Sequence, residues 1–599
     1  MTLPPAHPCS AADNLRAAVA LLQALQRRGL RRLVLCPGSR SGPLAVAAGL
    51  LERRAPDGVG LDLHTAVDER SAAFLALGLG RADGLAAAVV TTSGTAVANL
   101  LPAAVEADHG AIPLLLLTAD RPQRLKGCGA NQTVNQERFL EPSARRCLSG
   151  DPLGLAAMEP AALEALAARA WGASHGSPPG PVHLNLPLEE PLHGSLDDLE
   201  QLAQALQAQR PAAPLAPPAA AVAAPSAEPS PLDPGRPGAV VVGPWRGTLA
   251  DLPAFAEALR RWQAATGWPV LADGLSGLRG WPGLQLVHGY DLLLAEGHGL
   301  PAAPQLLRLG PMPASRRLQQ WIATCPGPQL LISEADPRNL DAGASVSQRC
   351  PLGLVGWLQA QPPLPDQPSA ASLAWAQPWH RADAAAQAQL DPALAGGTSE
   401  PAIARALSRL LPPGLPVMLA SSSPVRDWET FAAPEAPQRP LLSFRGASGI
   451  DGTLSLAAGL AFGCGALVLV TGDLALLHDS NGWLWRQQLV DRGVRLTVVL
   501  IDNGGGGIFE QLPIRADGPL DFERLFAMPQ AVDQLALAQA HGVPARRLAD
   551  LEALSEGLRW ALPQPLALLE LRTDRQADAR LRQDLRRRMA ALHGGPHGD

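Results

Sequence analysis

Short apolar runs alternate along the chain with longer stretches of helical periodicity. In the first third, RRLVLC (31–36), LDLHTAVD (61–68), LAAAVVTT (85–92), IPLLLLTAD (112–120) and PVHLNLPL (181–188) are nearly continuous in apolar or β-branched residues. Between them lie segments such as PLAVAAGLLERR, ERSAAFLALGLGRA and VANLLPAAVEA, whose apolar positions recur three and four residues apart. Strands buried on both faces lack in–out alternation, and crossover helices show the 3.6-residue period. The pattern therefore predicts βαβ units in a parallel sheet.

The same grammar returns in LPVMLASSS (415–423), PLLSF (440–444), ALVLVTGD (466–473) and VRLTVVLIDN (494–503). It also runs through the middle of the chain, in AVVVGPWRG (239–247), WPVLAD (268–273), LLRLGPMP (306–313) and QLLISEAD (329–336). One segment breaks it. PAAPLAPPAAAVAAPSAEPSPLDPGRP (211–237) has almost no charge and no apolar period, so it cannot bury a core and reads as a linker. A weaker boundary is the Pro/Ala/Gln-rich stretch around 360–398. No short-period repeat is visible. The fold class expected is α/β: three parallel-sheet domains, at 1–195, 238–397 and 398–599, with a linker over 196–237. In such sheets ligands lie beyond the carboxyl ends of the strands, so the residues just after each strand are the ones to inspect.

Composition narrows the chemistry. The chain has 599 residues, 47% of them hydrophobic, and a net charge of −6. Lys126 is its only lysine, and the other 48 of its 49 basic residues are arginine. Gly127 follows Lys126, so no Gly-Lys-Ser/Thr phosphate loop exists, and lysine Schiff-base chemistry would have to rest on that one residue. Mild acidity, with no basic cluster beyond Arg586–Arg588, argues against nucleic acid as a partner. The seven cysteines contain no C-x-x-C pair and the thirteen histidines no H-E-x-x-H, so neither a disulfide framework nor a zinc site is indicated. The longest apolar stretch, 454–470, is broken by Gly459, Gly463 and Gly465 and is short for a membrane span; the N-terminal MTLPPAHPCSAADN has no signal-peptide pattern. A cytoplasmic protein without a membrane span is expected.

Four strand ends of the first domain finish in polar turns: Pro37–Ser41, Asp68–Arg70, Thr92–Thr95 and Ala119–Pro122, with CGANQ (128–132) following. Each alone is ordinary helix-cap chemistry. Together, three of them bringing an arginine, they point to a site for an anionic small molecule. In the last domain Gly472-Asp473 ends one strand, and Asp502-Asn503-Gly504-Gly505 ends the next. Asp and Asn offer hard oxygen ligands, and a glycine-rich turn can present a carbonyl and approach a phosphate closely, which suits Mg²⁺ held jointly by protein and diphosphate.

This arrangement resembles the diphosphate/Mg²⁺ motif of thiamine-diphosphate (ThDP) enzymes, and the domain order resembles the pyrimidine–middle–diphosphate order of the pyruvate-decarboxylase-like group. PGSRS, HTAVDERSAAFLALGLGRA, TTSGTAVANLLPAAVEA, LLLLTADRP, CGANQ, GPVHLNLPLEEPL, RGASGIDGTLSLAAGLA, GDLALLHDSN and DNGGGGIFEQLP resemble the MenD family within that group. The likeness spans both ends of the chain and is thinner in the middle domain and linker.

The resemblance implies a transferase of menaquinone or phylloquinone biosynthesis. It implies ThDP and Mg²⁺ (Mn²⁺ as a substitute) as cofactors, and 2-oxoglutarate and isochorismate as substrates. It implies a homodimer, or a tetramer built as a dimer of dimers. Glu69 stands where the family's glutamate meets the aminopyrimidine ring. Asp473, Asn503 and the Gly505 carbonyl match the metal ligands. Ser93, Gly94, Ile450, Gly472, Ile508 and Phe509 match further cofactor contacts, though an ordinary core Ile at 450 predicts the same burial. Ser39, Arg40, Arg121, Asn131, Gln132, Ser422, Arg426 and Arg445 match substrate positions, with Gln132 and Arg426 beside the reacting atoms. Arg316 and Arg317 resemble a Lys-Arg pair there. Leu474 and Asp502 depart from the wider group's Gly-Asp-Gly and Asn-Asn. Another ThDP-dependent 2-oxoacid decarboxylase or an acetolactate-synthase-like carboligase is the alternative, but neither needs so many arginines around its substrate. A dinucleotide-binding oxidoreductase is disfavoured, because AVVVGPWRG lacks G-x-G-x-x-G.

Overall fold

The computed structural model describes residues 9–53, 60–208, 229–295, 298–515 and 520–591. Residues 1–8 of the N-terminal segment and 209–228 of the Pro/Ala linker lie outside them. Three wholly parallel sheets are present. The first contains β1 (Arg32–Leu35), β2 (Asp62–Thr65), β3 (Ala87–Thr91), β4 (Leu114–Asp120), β5 (Arg146–Ser149) and β6 (Pro181–Pro187), in the order β2-β1-β3-β4-β6-β5. The second contains β7 (Ala239–Val242), β8 (Val270–Ala272), β9 (Leu306–Leu309), β10 (Gln329–Ile332) and β11 (Gln348–Cys350), in the order β11-β10-β9-β7-β8. The third contains β12 (Val417–Leu419), β13 (Leu441–Leu442), β14 (Ala466–Gly472), β15 (Arg495–Asp502), β16 (Ala545–Arg547) and β17 (Leu566–Arg572), in the order β13-β12-β14-β15-β17-β16. Counted within each sheet, the first and third share one strand order. Both reverse direction between their first and third strands, where α/β sheets open a crevice for ligands.

Two compact units result. One holds the described residues up to 208 with 444–464, and the other the described residues of 229–443 with those of 465–591. In the first unit every residue of β3, β4 and β6 is buried, the polar His183 and Asn185 of β6 included. Leu21, Leu22 and Leu25 of the helix Ala11–Arg28 pack into one core with Leu33, Val90, Leu117, Leu184 and Trp171. The helix Glu69–Asp83 starts where the Asp68 side chain accepts from the N–H groups of Arg70 (2.9 Å) and Ser71 (3.3 Å). It is buried from Ser71 to Gly80 and packs against the helix Thr453–Cys464. Glycine makes that contact possible: a Cβ on Gly78 would lie 2.4 Å from the Leu456 carbonyl oxygen, and one on Gly459 2.2 Å from that of Leu75. The apolar stretch 454–470 is thus a helix and a strand, parted at Gly465 by a left-handed turn (φ +79°) that a side chain would strain.

In the second unit Trp262, Trp268 and Trp357 fill the core beside β7 and β8. The Pro/Ala/Gln-rich stretch read as a weak boundary is instead mostly the helix Ala370–Leu394, which carries Pro378 and Pro392 internally. Its buried Ala376, Trp379, Ala382, Ala386, Leu390 and Leu394 keep helical spacing, and Trp379 packs edge-on against Trp321 at 5.1 Å. That face supplies the burial that offsets the backbone hydrogen bonds proline removes. Leu196–Ala208, read as the start of the linker, is also helical. Among the described residues, no helix is long and apolar enough to cross a membrane.

Candidate functional site

In the first unit the turns after β3 and β4 meet through hydrogen bonds, and the turn after β1 is bonded to the segment past β6. Arg121, just past β4, is buried and donates through Nη1 to Ser93 Oγ and to the Gln132 carbonyl (2.8 Å). Gln132 returns its side-chain amide to the Ser93 carbonyl at 2.7 Å. The N–H of Gly94 donates to Gln136 Oε1 (3.0 Å), whose amide in turn reaches Asn185 Oδ1 at 2.8 Å. Arg40, past β1, is also buried and donates to the Leu188 carbonyl (2.9 Å) and to Glu190 Oε1 (2.8 Å). Burial first, and then the positive charge of Arg40, lowers the guanidinium pKa of Arg121. Two mutually repelling, largely desolvated guanidinium groups are a setting that an anion relieves.

Glu69 lies in the first turn of its helix, half-buried. Burial first, and then the carboxylates of Glu69 and Asp68, pushes the pKa of the Cys36 thiol up, which sets Glu69 against the end of β1. Ser39 Oγ is 3.4 Å from His193 Nε2. Arg445 and Ile450 flank a turn held by Glu106, whose carboxylate accepts from the N–H groups of Gly446 (2.6 Å), Ala447 (2.7 Å) and Ser448 (3.2 Å). Asn131 is exposed.

In the second unit Asp473 opens a helix directly after β14 and accepts from the Leu474 N–H at 2.9 Å and from the Gly505 N–H. Burial first, and then the charge of Asp502, pushes its pKa up to about 6 against those donors. Asn503, past β15, is buried. Its Nδ2 donates to Glu400 Oε1 at 2.6 Å, while its buried Oδ1 has no hydrogen-bond partner. Gly505 has φ +120°, and a Cβ there would fall 2.2 Å from the Ala527 carbonyl oxygen, so only glycine fits. An unpartnered amide oxygen beside a carboxylate whose charge is disfavoured is a donor set that a hard divalent cation satisfies. Asp502 accepts from the Gly504 N–H (3.2 Å) and pairs with Arg572 (3.4 Å). The added carboxylate therefore has a counter-charge of its own.

Arg426 donates to the Ser422 carbonyl at 2.7 Å. Ser422, with φ 76° and ψ −129°, occupies a region of the backbone map that glycine normally fills. Gln132 (φ 55°) and Ser448 (φ 63°) are two more non-glycine residues with positive φ, one at a matched site position and one in the turn between Arg445 and Ile450. Strain of this kind persists where the surroundings over-determine the backbone, commonly at functional sites. Ile508 and Phe509 are half-buried, with Phe509 edge-on to Phe526 at 5.9 Å. Arg317 pairs with Asp291 (2.9 Å), and Arg316 is exposed.

Several supporting residues were not singled out in the sequence and act from sites remote in it: Glu106 and Asn185, inside matched segments, and Gln136, His193, Glu400 and Arg582, outside them. Lys126 was visible as the sole lysine, but not as the anchor of the loop 123–136. It pairs with buried Asp120 and donates to the Val134 carbonyl at 3.0 Å.

Residues 15–139 match the family model described as thiamine pyrophosphate enzyme, N-terminal TPP binding domain, and residues 236–416 match the middle domain of thiamine pyrophosphate. The chain resembles benzoylformate decarboxylase from Polynucleobacter necessarius with a TM-score of 0.62 over 94% of this chain and 98% of that one. At 16% identity this is a likeness of fold. The 2-succinyl-5-enolpyruvyl-6-hydroxy-3-cyclohexene-1-carboxylate synthase of Synechococcus sp. (strain RCC307) is 57% identical over 96% of this chain and 97% of its own length. The protein of that name from Parasynechococcus marenigrum (strain WH8102) is 55% identical over 93% and 98%. With this identity across nearly its whole length, the chain belongs to the 2-succinyl-5-enolpyruvyl-6-hydroxy-3-cyclohexene-1-carboxylate synthase family.

Proposed function

We propose that this chain joins the four-carbon unit left by decarboxylation of 2-oxoglutarate to isochorismate, releasing CO₂ and giving 2-succinyl-5-enolpyruvyl-6-hydroxy-3-cyclohexene-1-carboxylate for menaquinone or phylloquinone biosynthesis. The observation that carries the reading is the 57% identity, over 96% of the chain, to a relative of that name. Bound ThDP would supply the electron sink that lets a 2-oxoacid lose its carboxylate. The rest falls to the protein. Glu69 holds a proton-exchanging carboxyl for the aminopyrimidine. Asp473, the Asn503 Oδ1 and the Gly505 carbonyl would hold Mg²⁺, or Mn²⁺ in its place, for the diphosphate. Ser93, Gly94, Gly472, Ile450, Ile508 and Phe509 would be the further cofactor contacts.

The two substrates bear four carboxylates between them. Arg40, Arg121, Arg426 and Arg445 meet them with planar forks that bind carboxylates bidentately, and Ser39, Asn131, Gln132 and Ser422 add neutral contacts. Arg316 and Arg317 are assigned to the substrates as the match to a Lys-Arg pair. Gln132 and Arg426 are assigned beside the reacting atoms by their match to family positions. An acetolactate-synthase-like site has no use for this many cations. Supply 2-oxoglutarate and isochorismate with ThDP and Mg²⁺, then omit each in turn. Consumption of both substrates in equal amounts, only with all four present, is expected. Consumption of 2-oxoglutarate without isochorismate at the full rate would make the chain a plain decarboxylase. Light scattering during size exclusion should give a dimer or tetramer.

A further inference from the structure

Asn503 has one amide face satisfied and one left open, and the satisfied face is set by a buried ion network. Glu400, the first residue of the helix Glu400–Leu410, accepts from Asn503 Nδ2 on Oε1 and from Arg582 on Oε2. Arg582 also grips Asp427, through Nε at 3.0 Å and Nη2 at 2.7 Å. Glu400, Arg582 and Asp427 are each at most 5% exposed. The helix Arg575–Ala591 that carries Arg582 also reaches the Asn503 turn directly, where Arg575 Nη1 donates to the Gly504 carbonyl at 2.9 Å.

We propose that Glu400, held by Arg582, is a positioning residue for the cation site: it fixes the Asn503 amide with its nitrogen inward, leaving Oδ1 as the atom offered to the metal. The inference rests on the reading of Asn503 as a cation ligand. Arg582 has only N–H donors, and a Glu400 carboxylate has only acceptors, so the Asn503 side chain must turn its NH₂ toward Glu400. Through Asp427, the neighbour of Arg426, the same arginine ties the metal turn to the helix that carries a substrate arginine.

The same matching of donors to acceptors dictates the variants. In Glu400→Gln, Arg582 claims the one carbonyl oxygen of the new amide, and its NH₂ then faces Asn503. Asn503 must flip to accept and would present NH₂ to the cation. Adding Asn503→Asp restores the match, because one Asp oxygen accepts from the glutamine and the other faces the metal. Asn503→Asp alone sets two carboxylates against each other.

Titrate Mn²⁺ into ThDP-saturated full-length protein at pH 8, following the electron paramagnetic resonance signal of free Mn²⁺, and record ligand-free melting in parallel. Each single variant should weaken Mn²⁺ at least about tenfold, the range expected for loss of a residue that orients a ligand. The double variant should return to within about threefold of wild type. If wild type binds no Mn²⁺, the cation-site reading itself fails. If wild type binds and Glu400→Gln matches it, or the double variant is no better than the weaker single, Glu400 does not position Asn503. Should Glu400→Gln alone not fold, Asn503→Asp against the double variant decides between the same two outcomes.

Discussion

The first and third sheets share a strand order, and matched residues follow the same four strands in each, yet the two are finished in opposite ways. Behind β1–β4 the arginine donors are mostly bonded within the protein, Arg121 to Ser93 and Gln132 and Arg40 to Leu188 and Glu190, although the buried Arg40 Nε has no partner. Behind β12–β15 the notable groups are acceptors left wanting, the bare Oδ1 of Asn503 and the Asp473 carboxyl pushed up to about 6. One backbone plan therefore serves two chemistries. The first crevice has most of its donors met by the protein and is relieved by an anion, whereas the second holds acceptors whose cost stays unmet until a cation arrives.

The largest effect that would sharpen this contrast is expected at Glu69. Glu69→Gln keeps the shape but its amide cannot exchange a proton, and general acid–base groups contribute roughly 10²–10⁴-fold. Hydrogen–deuterium exchange at the thiazolium carbon of bound ThDP should slow by that order, with ligand-free melting unchanged. An unaltered exchange rate would remove Glu69 from its role.

Next comes Asp473→Asn, which should abolish Mg²⁺-dependent ThDP binding by calorimetry and yet stabilise the ligand-free chain. The folded pKa of about 6 lies above the ordinary 3.8, so folding takes up a proton between those values. The penalty is absent below about pH 4 and complete above about pH 6. The variant should gain nothing at pH 4 and up to about 3 kcal/mol at pH 8 in denaturant melts. A loss of stability at pH 8 would contradict the picture of an acceptor site under strain.

Smaller effects are expected at the arginines. Arg426→Ala and Arg445→Ala should each cost about 1.5–3 kcal/mol in substrate binding, or roughly 10–150-fold in KM, with the lysine versions recovering part. ThDP affinity should stay within about threefold, and its collapse would reassign these residues to the diphosphate. Arg316→Ala, at an exposed position, should raise substrate KM by no more than about threefold.

The sheets were legible because strands buried on both faces write unbroken apolar runs, as β4 and β14 do. Of the edge strands, β2, β8 and β13 were read and the other three were not. β5, β11 and β16 are short and largely polar, because one side faces no neighbour strand. The helix Ala370–Leu394 hid behind its prolines although its buried face keeps regular spacing. The shared strand order of the first and third sheets left no trace as a repeat, since it is a property of backbone connection rather than residue identity. At the site, motif positions could be read from the sequence, but not their supports: Glu400 meets Asn503 from 103 residues away in sequence, and Arg582 meets Glu400 from 182.

The most direct test of the central claim follows carbon. Incubate the protein with 2-oxoglutarate labelled with ¹³C at the keto carbon, isochorismate, ThDP and Mg²⁺, and take the ¹³C spectrum. The account predicts a labelled ketone bonded to a ring carbon of the isochorismate-derived product, with one CO₂ released for each. Label found only in free succinic semialdehyde, or left in unreacted 2-oxoglutarate, would contradict it.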